Sequence, residues 1–370
     1  MVLLDVLLYI FVAVVSIQVF YFVFFFGKFA FLKHKKETPI NIPVSVVICA
    51  KNEAENLKKF LPSVINQDYP NFQIVLINDA SYDDTFEVME EFANKHNNIK
   101  LVNVVNNEAF WANKKYALTL GIKAAKHNHL LFTDADCKPL SKHWITEMSS
   151  CFNQTKSIVL GYGAYAKIKN SFLNKLIRFE TFITAVQYFS FAKLGIPYMG
   201  VGRNLAYTKE TFFNANGFMD HMYIRSGDDD LFINQTATAQ NTDICFTPES
   251  FTESIPKKTY KDWKIQKRRH ITTANHYKAK HKVLLAVFYV SQVLFWVLAT
   301  ILLIPLFKWQ LVLALILFRN LVQVLVFNKA SKKLNENDLI FYLPLLELFL
   351  IGFQLSIFIK NLISKPKHWK

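Results

Sequence analysis

Residues 2–27 carry a single charge, Asp5, in an otherwise almost wholly apolar run. In hydrocarbon a backbone must satisfy its own N–H and C=O groups, which leaves a helix or a closed barrel. At about 1.5 Å per residue, a helix of this length crosses a bilayer. A cleaved leader would have a basic start, a shorter apolar core and a small-residue cleavage site. The run has none of these, so residues 1–27 read as an anchor helix. Lys28, Lys33, Lys35 and Lys36 follow at once. Basic flanks stay in the cytoplasm, which puts the N-terminus outside and the next domain in the cytosol. Further candidate spans lie at 283–307, at 309–328 with Arg319 inside, and at about 339–359 with Glu347 inside, within a C-terminal region 283–360. Charges at such depths are costly and face protein or water. The topology carries a conflict. If both segments before Lys329, Lys332 and Lys333 span, that loop is cytoplasmic, and the basic tail 361–370 with Lys365, Lys367 and Lys370 falls outside. Either one segment is re-entrant or interfacial, or the tail departs from the tendency.

Between the apolar ends, residues 39 to about 165 alternate strand and helix patterns. Strands are expected at 44–50, 72–77, 99–105 and 130–133, and helices from Asn52-Glu53 onward, at 85–96 and at 114–126. Such alternation implies βαβ units and a mostly parallel sheet with right-handed crossovers. Residues 168–195 are aromatic and aliphatic but too charged to span; they fit an amphipathic helix on the membrane surface or a core helix of the globular domain. The net charge of +15 admits nucleic acid as a partner. Much of that excess flanks the apparent spans, ten Lys and Arg residues falling within 257–282, so headgroup contact and orientation account for it without nucleic acid. The spacing of Cys49, Cys137, Cys151 and Cys245 matches neither a zinc site nor a dense disulfide framework.

Polar residues recur where three successive strands end: Asn52 and Glu53, then Asn78 and Asp79, then Asp134 and Asp136. Ligands of open α/β sheets bind beyond the carboxyl ends of the strands, so the recurrence describes a site. Asp134-Ala135-Asp136 offers the oxygen ligands that Mg²⁺ and Mn²⁺ prefer and often share with phosphates. A lone Asp-x-Asp is equally a solvated turn. Gly200-Val201-Gly202 permits close backbone approach to a ligand. Asp228-Asp229-Asp230 is either a solvated helix cap or the source of a general base. The basic stretch 257–282 contains Gln266-Lys267-Arg268-Arg269-His270.

These landmarks, in this order, resemble the family 2 inverting glycosyltransferases of GT-A fold in their membrane-anchored form, over about residues 43–275. The family's Pro-x-Tyr-Asn-Glu resembles Cys49-Ala50-Lys51-Asn52-Glu53, and its Asp-Asp-Gly-Ser-x-Asp resembles Asn78-Asp79-Ala80-Ser81-Tyr82-Asp83. Its Gly-Lys-x-x-Ala-Leu resembles Asn113 to Leu118, and its Asp-x-Asp the 134–136 pair. Its acidic base motif resembles Gly227 to Leu231, and the Gln-x-x-Arg-Trp of its processive members resembles Gln266 to His270. The resemblance implies an α/β GT-A domain, a Rossmann-like nucleotide-sugar fold with a mostly parallel sheet, at 39–282, flanked by N- and C-terminal transmembrane helices. It implies that Ala50, Asn52, Glu53, Asp79, Lys114 and Asp134 bind a nucleoside-diphosphate sugar, a UDP-sugar being favoured. It further implies that Asp136 with Asp134 holds Mg²⁺ or Mn²⁺, and that Asp228 or Asp229 deprotonates the acceptor. Counting back from Leu231 selects Asp228 and counting forward from an acid pair selects Asp229; the first is preferred. Gly202, Asn204, Gln266, Arg269 and His270 would bind the diphosphate or the acceptor, a lipid-linked or glycan molecule.

Three departures bear on processivity. His270 stands where processive members have Trp, Gly227 where the base motif has an acid, and only about three apolar segments follow the domain. They favour transfer of one sugar to a lipid-linked or membrane-embedded acceptor over polysaccharide synthesis. A membrane scaffold that keeps the fold without the chemistry is the remaining alternative, and the intact Asp134, Asp136, Asp228 and Asp229 argue against it.

Overall fold

The computed structural model describes residues 2–33, 41–105, 114–224 and 226–363. The flanking Lys35 and Lys36, the motif residue Asn113 and the tail lysines from Lys365 on lie outside the described residues. The chain opens with α1 (Val2–Phe20), which continues through a π-helical segment, Tyr21–Phe26, into α2 (Gly27–Ala30). The alternation expected from the sequence follows: β1 (Val44–Ala50), α3 (Ala54–Ile65), β2 (Phe72–Asp79), α4 (Thr85–Lys95), β3 (Ile99–Val104), α5 (Lys114–Ala124) and β4 (His129–Phe132). Shorter elements come next: β5 (Cys137–Pro139), α6 (Trp144–Ser150), β6 (Ile158–Leu160) and β7 (Gly163–Tyr165). Then come α7 (Phe172–Lys193), β8 (Leu205–Thr208), α8 (Lys209–Asn214), α9 (Asp230–Thr236), β9 (Thr242–Ile244) and β10 (Thr252–Ser254). Helices α10 (Tyr260–Ala274), α11 (Ala279–Leu303), α12 (Trp309–Lys333) and α13 (Leu343–Ile363) complete the chain.

The main sheet has seven strands in the order β3-β2-β1-β4-β8-β6-β9. β3, β2, β1 and β4 run parallel, whereas β8 lies antiparallel between β4 and β6. This is the α/β, mostly parallel GT-A architecture expected. Two consequences place the site. The carboxyl ends of β1, β2 and β4 share one edge, and the reversed β8 brings the residues before Leu205 to that same edge beside Phe132. A second sheet, β5-β10-β7, packs nearby.

Buried parallel strands need apolar cover on both faces. On one face Leu57, Leu61 and Val64 of α3 and Trp144 of α6 pack on Val44, Val46 and Ile48. On the other, Val47, Val75, Ile77 and Leu130 belong to a cluster that runs through α7 into Phe22, Phe26, Phe288 and Phe327 of the apolar helices. Helix α7 is therefore a core helix, with Phe179, Phe182, Val186, Phe189 and Phe191 buried. Farther from the sheet, a separate cluster joins Leu8, Phe11 and Val15 of α1 to Phe295, Leu298 and Leu302 of α11 and Val312 of α12.

Among the described residues, four helical stretches are long and apolar enough to cross a membrane: Val2–Ala30, Ala279–Leu303, Trp309–Lys333 and Asn337–Ile363. The charges inside them have partners. Arg319 is fully buried, donates to Gln18 at 2.6 Å and Gln323 at 2.7 Å, and forms an ion pair with Glu347. Its guanidinium also lies 4.6 Å from the centroid of the Phe295 ring. Removing one partner of such a pair leaves an uncompensated buried charge, at a cost of about 3–5 kcal/mol. Arg319→Met is expected to lower the unfolding temperature in detergent. Arg319→Met combined with Glu347→Leu is expected to recover most of the loss; a double variant as unstable as the single one would show that the pair is not what matters.

Candidate active site

The loops after β1 and β2 lock together before any ligand is considered. Asn52 and Ala80 both adopt positive φ, 54° and 48°, which an asparagine tolerates better than most residues. Asn52 accepts from the Tyr82 amide at 2.8 Å and donates its own amide to Ser81 Oγ at 3.0 Å. Glu53 donates its amide to Thr85 Oγ1 at 2.8 Å and accepts from Asn56 at 2.5 Å. Asn78 accepts from the Ser81 amide and donates to Asn103 at 2.8 Å. Asp79 is buried at the end of β2, and burial raises its pKa, with Lys51 and Lys114 acting in the opposite direction. The side chain of Ala50 is buried in the α3-side core, so only its backbone faces this shelf.

Lys114, at the start of α5, is the electrostatic centre. Its Nζ lies 3.0 Å from Asp134 Oδ1 and 3.0 Å from Asp228 Oδ2. Burial alone would lower its pKa, but these two carboxylates hold it well above the usual value. Burial would likewise push Asp228 up; Lys114 more than offsets it and keeps the carboxyl below the usual range. The first helical turn after Gly227 carries the rest. Gly227 has φ 91°, and a Cβ there would come within 2.5 Å of the Leu231 side chain. Backbone geometry thus accounts for glycine where the resemblance expects an acid.

Asp229 accepts from the Gly202 amide at 2.6 Å and the Asp230 amide at 2.7 Å. Burial, with Asp228 and Asp230 beside it, raises its pKa to about 7. Asp230, buried, accepts from Tyr277 at 2.6 Å and from Thr273 of α10. These bonds tie the acidic loop to the helix that carries Gln266 to His270.

Asp134, Asp136 and Cys137 place one donor atom each within 4.8 Å of one another. Burial, then the charges of Asp134 and Glu53, raise the pKa of Asp136. Negative charge there is under-compensated, and the carboxylate oxygens suit a hard divalent cation. Cys137 does not complete that set as a thiolate: burial and Asp136 push its pKa well above the usual value.

A cavity of about 480 Å³ joins these groups. Asp134, Asp136, Gly202, Asp228 and Asp229 line one end; Gln266, Arg269 and His270 of α10 line another wall. Gln266 lies 3.5 Å from the Tyr165 hydroxyl. His270 lines the cavity with its side chain open to it; the protein packed around the site, then Lys267 and Arg269 beside it, lower the pKa of the imidazole. One expected ligand is displaced from this group. Asn204 is fully buried; its amide donates to Tyr162 O and Ser250 O, and it accepts from Trp144. Its polar atoms hold the core together, so it is a framework residue, contrary to the reading from sequence.

Arg203, next to it, was missed. Its guanidinium lies 4.2 Å from the Tyr165 ring centroid, donates to Ala164 O and Ser254 Oγ, and lines the cavity. A cation between Gly202 and a buried asparagine was the available signal. Asp230 and the Lys267–Glu180 ion pair were also missed, because their partners are distant in sequence.

A carboxyl whose folded pKa lies above its unfolded value stabilises below the unfolded pKa and loses that contribution as pH rises through the folded value. Asp229 fits this case: the loss accrues above the unfolded value of about 4 and is complete once pH passes the folded value of about 7. Asp229→Asn is expected to narrow the fall in melting temperature between pH 5 and pH 8; an unchanged fall would show that Asp229 does not titrate there.

Residues 45–219 match the family model described as glycosyl transferase family 2, and residues 147–330 match the one described as glycosyl transferase family group 2. A poly-beta-1,6-N-acetyl-D-glucosamine synthase of Staphylococcus epidermidis is 36% identical over 93 residues, 25% of this chain and 21% of the synthase. A cholesterol galactosyltransferase of Borreliella burgdorferi is 33% identical over 93 residues, 25% of each protein. The chain thus spans about a fifth to a quarter of the length of these relatives. Among solved structures, a mannosyltransferase of Pyrobaculum calidifontis, in complex with GDP-Man and Mn²⁺, superposes with a TM-score of 0.58 at 17% identity, over 89% of this chain and 98% of that one. The fold is shared with that neighbour, and the two family-model matches are to glycosyltransferase models.

Proposed function

We propose that this chain is a family 2 glycosyltransferase that transfers one sugar from a nucleoside-diphosphate sugar to a lipid-linked or membrane-embedded acceptor, by a single displacement that inverts the anomeric carbon. The observation that carries the reading is the single cavity itself. It runs from Asp134, Asp136 and Asp228 to Leu285, Leu350 and Ile357 of the apolar helices, so a charged donor and an apolar acceptor can meet in one space.

The interlocked loops at Asn52, Glu53 and Asp79 form the shelf for the nucleoside, uridine being favoured. Lys114 sits between this shelf and the acidic loop. A Mg²⁺ or Mn²⁺ held by Asp134 and Asp136 would neutralise the departing diphosphate; the Pyrobaculum neighbour carries Mn²⁺. Arg203 and Arg269 supply further positive charge along the diphosphate and acceptor path, with Gln266 and His270 beside them.

Asp228 takes the proton of the acceptor hydroxyl as the new bond to the anomeric carbon forms and the bond to the diphosphate breaks. Lys114 keeps it ionised for that role. Asp229 is the second reading for the base, favoured by its pKa near 7, but both of its oxygens already accept backbone amides. His270, in place of the stacking Trp of processive members, favours release after one transfer. The catalytic domain would lie in the cytoplasm of an integral membrane protein.

The test is a donor screen on the detergent-purified chain with Mg²⁺ or Mn²⁺, reading nucleoside diphosphate release from uridine, guanosine and thymidine diphosphate sugars. Release from one donor is expected. Asp136→Ala should reduce it on the order of a thousand-fold, the rate equivalent of several kcal/mol. Asp228→Asn should retain donor binding and lose transfer. Transfer lost only in Asp229→Asn would move the base, and donor binding without turnover under every acceptor would support the scaffold reading.

A further inference from the structure

Helix α13 is long and apolar enough to cross a bilayer. Its contacts place it otherwise. The segment just before it is clamped to the domain: Arg178 of α7 pairs with Glu336 and Asp338, Tyr162 donates to Glu336 at 3.1 Å, and Lys167 pairs with Asp338. The far end of α13 is also held by the domain, where Arg268 of α10 donates to Asn361 at 2.8 Å. Between them, Phe353 stacks on Trp263 of α10 with ring centroids 3.9 Å apart. Helix α11 gives the direction. Gln292 donates to Glu347, whereas Tyr289, one turn nearer the domain, donates to Ile351 O at 3.2 Å. Going forward along α13 therefore leads back toward the domain. The cluster farthest from the sheet agrees: it joins α1, α11 and α12, and among the described residues none of α13 belongs to it.

We propose that α13 is a re-entrant helix that never reaches the opposite side and serves as the wall between the active-site cavity and the acyl chains. Its two faces suit this place. Leu350, Phe353, Gln354 and Ile357 recur at helical spacing and line the cavity. Leu348, Leu355, Phe358, Ile359 and Leu362 are exposed apolar residues on the remaining surface. In water they would form a large apolar patch; against acyl chains they cost nothing. Crossings by α1, α11 and α12 then leave the C-terminus on the side of the catalytic domain, which removes the conflict between the basic tail and the positive-inside tendency. A lipid acceptor reaches Asp228 by displacing α13 from α10. That last step rests on the function proposed above; the path of the helix does not.

Two measurements decide the path. A C-terminal tag should be digested by an added protease in sealed inverted vesicles, where the catalytic domain faces out, and be protected in vesicles of the opposite orientation. The reverse pattern would overturn the proposal. Trp263→Cys combined with Phe353→Cys should be joined by a short bis-methanethiosulfonate reagent that spans the space the two rings fill; Tyr260→Cys with Phe349→Cys, where the rings lie 6.1 Å apart, is the second pair should the first fold poorly. No cross-link in either pair would place α13 away from α10 and overturn it. The gate is read on the cross-linked Tyr260–Phe349 pair, neither of which lines the cavity: release of nucleoside diphosphate to water should persist, transfer to membrane lipid should stop, and reductant should restore it. Undiminished lipid transfer in the cross-linked form would overturn the gate. A protein that hydrolyses its donor but modifies no lipid before cross-linking would count against the proposed acceptor, while the tag and the cross-link still decide the helix.

Discussion

The rest of the structure depends on one aromatic core that runs from the sheet on into the apolar helices. Val47, Val75, Ile77 and Leu130 on the underside of the sheet share a cluster with Phe182 and Phe189 of α7, and these with Phe22, Phe26 and Phe327 of the apolar helices. Aromatic rings contribute large apolar area with few rotamers to fix. The edge-on pair of Phe182 with Phe327 holds α7 against α12, and that of Phe26 with Phe288 holds the N-terminal helix against α11. Soluble domains tethered by a single helix hang on linkers. Here the sheet is packed, through α7, onto the apolar helices, so the height of the strand ends relative to them is fixed by close packing.

With that height fixed, charge organises the site. Lys114 bridges carboxylates contributed by the loop after β4 and the loop before α9, and Asp230 carries the same loop to α10 through Thr273 and Tyr277. Burial, and then repulsion from Asp228 and Asp230, raises the pKa of Asp229 to about 7. The arrangement persists because backbone amides of Gly202 and Asp230, two hydroxyls and one ammonium share the negative charge. The cation and the nucleoside diphosphate of the proposed function would complete this balance, and a sheet edge is where open α/β sheets bind such ligands.

Much of this was legible in the sequence, and the limits are physical. The strand ends at Ala50, Asp79 and Phe132 follow from apolar runs that stop at polar residues, and the parallel order follows from alternation with helices. Those signals are local. Asn204 was misread because it follows a Gly-x-Gly pattern that resembles a ligand loop, whereas its partners, Trp144, Tyr162 and Ser250, are 42 or more positions away and invisible to spacing. Arg203 and Asp230 were missed for the same reason. For 168–195, two environments gave the same composition: a helix packed between a sheet and apolar helices needs as many aromatics as one lying in headgroups, and only the contacts of Phe179 and Phe189 separate the two.

The same ambiguity, in stronger form, governs α13. Hydropathy measures the cost of leaving a segment in water, and a wall between a cavity and acyl chains escapes that cost as completely as a crossing helix does. What distinguishes the two is where the ends must go, and ends are set by polar groups. Asp338 and Glu336 are drawn to Arg178 at one end of α13, and Asn361 to Arg268 at the other. Arg178 and Arg268 both belong to the domain, on α7 and α10. A helix tied to one body at both ends has no route to the far side. The buried Arg319–Glu347 pair then has a purpose beyond neutrality: it anchors the first turns of α13 against α12 at a depth the helix would otherwise have no polar reason to visit. A pair that costs desolvation and is kept nonetheless makes best sense as a registry device, fixing how far α13 dips before it rises along the cavity.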